Sequence, residues 1–461
     1  MPKISEVYRL LLGFNNKDFN DFNKFLESPY LNSVEALSLI FKDIRKNKHL
    51  MLESKFDELE SLLIKNSKYS KSTVAKLLSY LKNSVLKYYG IKSVLADDIY
   101  YQIKINEYLL NIGEFKILFL NQNKLNSIIV DSNKIDDDRF LFSHLHNINL
   151  YDTSIISGKY YLKDNMNNLS EEYLFNSSTD LFLFTLIQIV SNYVTFILQQ
   201  SNFNKDNLLW ASIDIDDLIK TGDKYIRYDK IEHRIIFFNL YKKLFYAYKF
   251  ITKDEYYHKY KSYFFDHIMN FSYDKIEQHY KYLTYYCIAR ERIADKNNYF
   301  SHEWMNLTNQ FIDIDFINKP SKKNLHPNVY HNFIIKCSAV NDSSKLKEFI
   351  DKNTSRVSPK EYRNLYNFGM AHYYNIIADY GKALKCINNV KINCFMFKYD
   401  LVKLELQIYF EKSNIDFIER TVHNINEMIK HDSSITKYDK TRLFNMLKYY
   451  QALIYLKKNY Y

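Results

Sequence analysis

Seven glycines and five prolines in 461 residues remove most of the backbone vocabulary from which sheet proteins are built. Average usage would put roughly thirty glycines and twenty prolines in a chain of this length. Tight β-hairpins need glycine at positive φ, and phosphate loops and strand-to-helix elbows need it where backbones approach closely. A Rossmann domain, sandwich or barrel is poorly supplied by such a chain. Helices joined by short polar turns tolerate the shortage, so the fold class expected is all-α.

Apolar residues make up 47% and charged residues 25%, so core material is available and disorder is not the default. Tyrosine (43) and phenylalanine (33) far outnumber tryptophan (2), and lysine, asparagine and isoleucine are abundant. All of these have AT-rich codons, so a biased genome accounts for the excess without a functional cause. The net charge of +11 suits nucleic acid or an anionic membrane surface, but a solvated lysine surface is the simpler reading. Cys287, Cys337, Cys386 and Cys394 are widely spaced and form no C-x-x-C pair, which argues for reduced, buried thiols rather than disulfides or zinc. The N-terminus has only a short apolar run and no small-residue cleavage site, so it does not read as a signal peptide. Leu181 to Leu198 has the length of a membrane span. However, Gln188, Ser191 and Asn192 sit at its centre and no cationic cluster flanks it, so a buried central helix is expected instead. Together these features point to a soluble, cytoplasmic chain with no membrane span.

Helical periodicity recurs from end to end and suggests three regions: an N-terminal helical region (1–92), a middle one (93–225) and a repeat-bearing one (226–461). In the first, Leu37, Ile40, Phe41 and Ile44, then Phe56, Leu59, Leu62 and Leu63, mark two core faces, and Gly90 is the expected C-cap of a helix over 72–89. In the second, Asp97–Ile112 and Lys116–Leu125 read as a hairpin around Gly113-Glu114-Phe115. The pattern over 126–150 is weak, a long apolar helix covers 179–200, and Gly222 is expected to end the last helix. In the third, capping boxes are expected at Thr252…Glu255 and Ser358-Pro359-Lys360-Glu361, with Ser272, Ser301 and Thr436 as further N-caps. Helices separated by short turns are the mark of antiparallel hairpins.

The stretch Leu365–Val390 carries the strongest repeat signal. Met370-Ala371 provides a large–small pair, Tyr374 an aromatic three residues on, Ala378-Asp379-Tyr380 a turn, and Ala383 a small residue in the second helix, with Ile387 and Val390 on its inner face. Helices crossing at roughly 8–10 Å need small residues at the closest point and large ones around it. This stretch resembles the tetratricopeptide repeat. It departs at Asn367, where the pattern favours Trp, and at Phe395, where it favours Pro. The following unit, Asp400–Ile429, keeps Leu401, Leu404 and Ile408 but has Lys412-Ser413-Asn414 at the turn and Phe417 in place of the small residue. Across nearly its full length, through FNKFLESPYLNS, FDELESLLIKNSKYSKSTVAKLLSYLKNSVLKYY, LVKLELQIYFE and TRLFNMLKYYQALIYLKK, the chain also resembles a family of uncharacterised Bacteroidota helical proteins with tetratricopeptide-like (TPR-like) repeats. That resemblance implies antiparallel helical hairpins stacked as a TPR-like α-solenoid. It transfers no catalytic residue.

Nucleotide-binding, nucleophile-elbow and zincin motifs are all missing from the sequence. Lys220-Thr221-Gly222 and Ser79-Tyr80-Leu81-Lys82 spell two penicillin-binding signatures, but that chemistry needs K-T-G on a sheet edge. His144 with His146, and His326 with His331, read as surface or satisfied core histidines rather than metal ligands. Asp136-Asp137-Asp138, and Asp214 with Asp216-Asp217, read as solvated loops or helix N-terminal carboxylates. No catalytic, cofactor-binding or metal residue is assigned. Between Ser61 and Ala96, Lys65, Lys68, Lys71, Lys76, Lys82, Lys87 and Lys92 occur without one carboxylate, in a helix–turn–helix layout interleaved with Tyr69 and Tyr80. The segment has no arginine to read guanine edges, so phosphate contact without sequence specificity is the most it suggests. The expectation is a non-enzymatic helical-repeat protein, a scaffold or adaptor for a protein or peptide partner. Nucleic-acid association through 61–96 is the alternative.

Overall fold

The computed structural model describes residues 4–53, 55–67, 69–131, 137–161, 166–203, 213–294, 298–318, 324–391, 395–431 and 437–460. Among them the regular elements are all helices, 22 of them α-helical. The all-α expectation is met. Thr436, Cys394, Lys68 and Asp136 lie outside the described residues. Two compact units emerge, Met1–Asn133 with Asp137–Leu181, and Phe182–Tyr461. The helix Met166–Phe203 passes from one unit into the other, and the expected boundary at 92 falls inside the helix Lys71–Ala96.

In the first unit, the N-terminal helices wrap the long helix Lys71–Ala96. Val74, Leu78, Leu81, Val85 and Tyr88 of that helix meet Val7, Tyr8, Leu11, Phe22, Phe41 and Leu59 in one apolar core. The helix Asn16–Glu27 starts with a capping box that the sequence reading missed: Asn15 Oδ1 accepts from Asp18 N–H (2.9 Å) and Asp18 Oδ2 accepts from Asn15 N–H (3.2 Å). Gly90 is not a C-cap. The helix continues through it because residues on both sides are anchored: Tyr89 Oη donates to the Leu10 carbonyl (2.8 Å), and the Lys92 ammonium pairs with the Asp18 carboxylate. Such contacts outweigh the roughly 1 kcal/mol that glycine costs inside a helix. The helix ends where Asp97 caps Asp98–Ile112 by accepting from Tyr100 N–H (3.0 Å).

Within the weak pattern over 126–150, residues 126–131 and 137–150 are helical, in Phe115–Asp131 and Asp137–Tyr161. The weakness has a physical cause, because the interior here is partly polar. Asn106, Gln122, His146, Asn149 and Thr153 are all buried. Gln122 Nε2 donates to Asn149 Oδ1 (2.7 Å) and to Thr153 Oγ1 (2.9 Å), and Asn121 Nδ2 donates to Asn106 Oδ1 (2.6 Å). Hydrophobicity therefore marks the inner face only in part, through Leu118, Leu125, Ile129 and Phe140.

In the second unit, hairpins follow one another: Glu232–Lys249 with Asp254–Asp266, Tyr273–Ala294 with Tyr299–Asn318, Pro327–Ala339 with Ser343–Asn353, Tyr362–Ile376 with Tyr380–Asn388, and Phe395–Glu411 with Ile415–His431. The last three turns share one construction. Asn341, Ala378 and Ser413 adopt left-handed φ of 56°, 59° and 55°. In each case the following N–H reaches back five residues: Asp342 to Cys337 (3.0 Å), Asp379 to Tyr374 (2.9 Å), Asn414 to Tyr409 (3.0 Å). This is the Schellman closure, which satisfies carbonyls orphaned at a helix end. Gly113, at φ 76°, makes the same turn in the first unit.

Neighbouring hairpins interlock through aromatic side chains. Tyr248 Oη donates to the Tyr282 carbonyl (2.7 Å), Tyr257 stacks on Tyr286 (4.5 Å) and Phe368 meets Phe397 edge-on (5.0 Å), while Phe333 stacks on Phe349 (3.7 Å) within one hairpin. Two glycines mark the tightest approaches. A Cβ on Gly222 would lie 2.2 Å from Phe238 Cε2, and one on Gly369 would lie 2.9 Å from Ile350 Cγ1. Gly222 thus serves packing inside the helix Ile215–Ile226 and does not end it. The closest approach in the repeat falls at Gly369, one residue before the expected Met370-Ala371 pair, although Ala371 is fully buried.

Several expected caps are replaced. Thr252 forms no box, because Lys253 precedes Asp254–Asp266 without a side-chain cap bond. Ser358 to Glu361 forms a backbone turn, with Glu361 and Tyr362 N–H both on the Ser358 carbonyl, and the helix begins at Tyr362. Ser301 lies within a helix and donates to Glu291 (2.7 Å). Ser272 is the N-cap expected, accepting from Lys275 N–H (3.4 Å). The apolar helix buries one face rather than being surrounded: Leu183, Leu186, Ile187, Val190 and Val194 are buried, yet only 33% of its most apolar window is. By length and composition, Ser170–Leu198 is long and apolar enough to cross a membrane.

Candidate interaction surface

A pocket of about 320 Å³ lies in the last hairpin, where Val402, Glu405 and Tyr409 on Phe395–Glu411 face Phe417, Arg420, Thr421, Asn424 and Ile425 on Ile415–His431. The Ser413 turn sets this geometry by reversing the chain between Tyr409 and Phe417, whose rings lie 5.1 Å apart and form an aromatic wall. Thr421 Oγ1 donates to the Phe417 carbonyl (2.8 Å). Burial pushes the Glu405 carboxyl above its usual range, opposed by a hydrogen bond with Tyr409. Arg420 is exposed and has neither ion pair nor hydrogen bond among the described residues. The pocket therefore combines apolar walls, a half-buried carboxylate and an uncommitted guanidinium, a donor set suited to a polar ligand group on an apolar stem. The sequence reading did not name Glu405 or Arg420. The signal was Phe417, a large residue where the repeat pattern has a small one.

A second exposed aromatic group lies on the preceding hairpin. Tyr362 and Tyr366 are exposed and stack with ring planes 3° apart, and Lys382 lies over the Tyr374 ring (5.4 Å). Tyrosine offers a large contact area at low entropic cost.

The lysine-rich segment does not form one face. At 100° per residue, Lys71 and Lys82 fall on one side of Lys71–Ala96 and Lys76 and Lys87 well over 90° away. Lys82 pairs with Glu6 (2.5 Å), Lys92 with Asp18, and Lys87 donates to the Leu31 carbonyl (3.4 Å). Much of this positive charge is spent holding the N-terminal helices.

The other residues considered from sequence have local structural roles. His144 Nδ1 bonds Ser177 Oγ (2.8 Å), while His146, on the same helix, is buried with both ring nitrogens unpartnered and its pKa lowered by burial to about 4. His326 caps Pro327–Ala339, accepting from Asn328 N–H (3.2 Å), and His331 Nε2 bonds Asp400 Oδ2 (2.6 Å) across to the hairpin Phe395–His431. Asp137 is buried and Asp138 exposed at the start of Asp137–Tyr161. Asp214 caps Ile215–Ile226, Asp216 pairs with Lys249 and Asp217 with Lys220 (2.8 Å). Lys220-Thr221-Gly222 lies within that helix, and Ser79 and Lys82 within Lys71–Ala96. Cys287 and Cys337 are buried free thiols and Cys386 is partly exposed. Burial raises all three, Cys337 to about 12. Among the described residues, no group of three or more His, Cys, Asp or Glu side chains is placed to hold a metal ion.

No family model matches the sequence, and comparison with curated proteins and with solved structures likewise finds no match.

Proposed function

We propose that the chain is a non-enzymatic helical-repeat protein, a TPR-like α-solenoid with an N-terminal helical region, which serves as a scaffold for a protein or peptide partner. One observation carries this reading. The left-handed turn residues Asn341, Ala378 and Ser413 recur 37 and 35 residues apart, close to the 34-residue tetratricopeptide period. Stacked units of that kind leave an extended groove, because each contacts only its neighbours. The pocket at Tyr409, Phe417 and Arg420 and the tyrosines at 362 and 366 are the contacts assigned to the partner. The free cysteines among the described residues, Cys287, Cys337 and Cys386, suit a reducing, cytoplasmic setting.

A photo-crosslinking amino acid placed at Phe417, at Tyr366 and, as control, at Tyr228 tests this in lysate of the source organism. The reading expects one stoichiometric polypeptide crosslinked from the first two positions and not from Tyr228. Equal labelling from all three, or none, overturns it.

A further inference from the structure

The helix Lys437–Tyr460 is apolar on two opposite faces. Leu443, Leu447 and Ile454 are buried against Leu406, Ile418, Val422, Ile425 and Ile429. On the other side Tyr449, Ala452, Leu453 and Leu456 follow the i, i+3, i+4, i+7 spacing of a helix–helix seam. Of these, Tyr449, Leu453 and Leu456 are 75%, 41% and 50% exposed. The helix before it differs. In Ile415–His431 the apolar stripe Ile418, Val422, Ile425, Ile429 is all buried, and Asp416, Glu419, Arg420 and His423 line the outside. An exposed apolar seam on a helix whose opposite face is already packed is a surface that a partner can cover.

Charge selects the cover. The helix carries six basic residues (Lys437, Lys440, Arg442, Lys448, Lys457 and Lys458) and one acidic residue, Asp439. Glu419 engages Lys458 (2.6 Å), and exposed Lys448 directly adjoins the seam. A second copy of this helix would set like charges against each other. The seam spans about 100° of the helix, and small Ala452 between Tyr449 and Leu456 leaves room for knobs from a facing helix. We infer that the outer face of Lys437–Tyr460 docks an acidic amphipathic helix of a partner protein, through Tyr449, Leu453 and Leu456, with Lys448 meeting its carboxylates. This surface is separate from the pocket at Arg420, so either assignment can fail without the other.

The test uses the full chain and a labelled three-heptad peptide with leucine at a and d and glutamate at e and g, followed by fluorescence anisotropy. A peptide with lysine at e and g is the control. Saturable binding of the glutamate peptide is expected, weaker by about tenfold or more for the lysine peptide and for the Leu453→Ser/Leu456→Ser variant, and weakened by salt. Circular dichroism checks that the variant keeps its helix content, and Tyr449→Ser alone replaces it where it does not. Equal binding of both peptides, or undiminished binding by the serine variants, overturns the inference. So does binding to phosphatidylserine vesicles, or self-association on gel filtration, without peptide binding.

Discussion

Helices Asp98–Ile112, Phe115–Asp131 and Asp137–Tyr161 bury amides and an imidazole where the hairpins from Glu232 to Asn353 bury phenylalanine and tyrosine. Both regions are antiparallel helices with short connections, yet their interiors hold together differently. In the C-terminal hairpins each ring contributes area and ring–ring geometry, as Phe333 on Phe349 and Tyr257 on Tyr286 do. Buried tyrosine hydroxyls there find partners, such as Tyr257 to Glu303 (2.8 Å) and Tyr330 with Thr354 (2.8 Å). In the polar layer the amides bond one another, but Asn106 Nδ2, Gln122 Oε1 and both His146 nitrogens are left over. Similar helical hairpins are thus filled by ring packing in one region and, in the other, by an amide network beside Ile103, Leu125 and Ile129.

The largest expected effect lies on the aromatic side. Phe333→Ala should cost about 3–5 kcal/mol in denaturant unfolding, because it removes a fully buried ring and leaves a cavity beside Phe349. Gly222→Ala should cost about 1–3 kcal/mol in the same assay, since the new methyl meets the Phe238 ring at 2.2 Å. On the polar side the sign depends on how many partners are removed. Asn149→Leu alone should cost about 1–3 kcal/mol by removing one of the two acceptors of the buried Gln122 amide, whereas Gln122→Leu with Asn149→Leu and Thr153→Val should be neutral or stabilising. If the triple variant were the least stable of the set, the contrast between the two interiors would collapse.

Acid sharpens the same comparison. His146 titrates near 4 in the folded protein, against 6.5 for an ordinary histidine, and His372 behaves alike, both because burial disfavours the cation. The unfolded chain takes up these protons first as pH falls, so stability is lost between about pH 6.5 and 4, by roughly 1.4 kcal/mol per pH unit per histidine. His146→Leu should flatten that slope by one proton, measured by urea unfolding at several pH values. The smallest effect is a gain. Ala378→Gly relieves a left-handed alanine and should raise stability by about 0.5–1 kcal/mol.

These contrasts also explain what could be read in advance. Gly and Pro scarcity gave the helical class, and Ala378-Asp379 and Gly113-Glu114 gave two of the turns, because turn chemistry is local. The helices at 126–131 and 137–150 were obscured because Gln122, His146 and Asn149 face inward, against the apolar-inside pattern on which periodicity relies. Gly90 and Gly222 misled because their roles depend on partners far away in sequence, Leu10 and Asp18 for the first helix and Phe238 for the second. The pocket at Glu405 and Arg420 was invisible for the same reason, since it exists only once the Ser413 turn brings two helices face to face.

The proposed scaffold role meets its most direct test in affinity capture from the source organism with the parent chain and with Arg420→Glu, at an exposed position, its helix content checked by circular dichroism. The account predicts one stoichiometric polypeptide retained by the parent and lost, or reduced by about tenfold, with the variant. The same polypeptide held equally by both, or no stoichiometric partner with either, would contradict it.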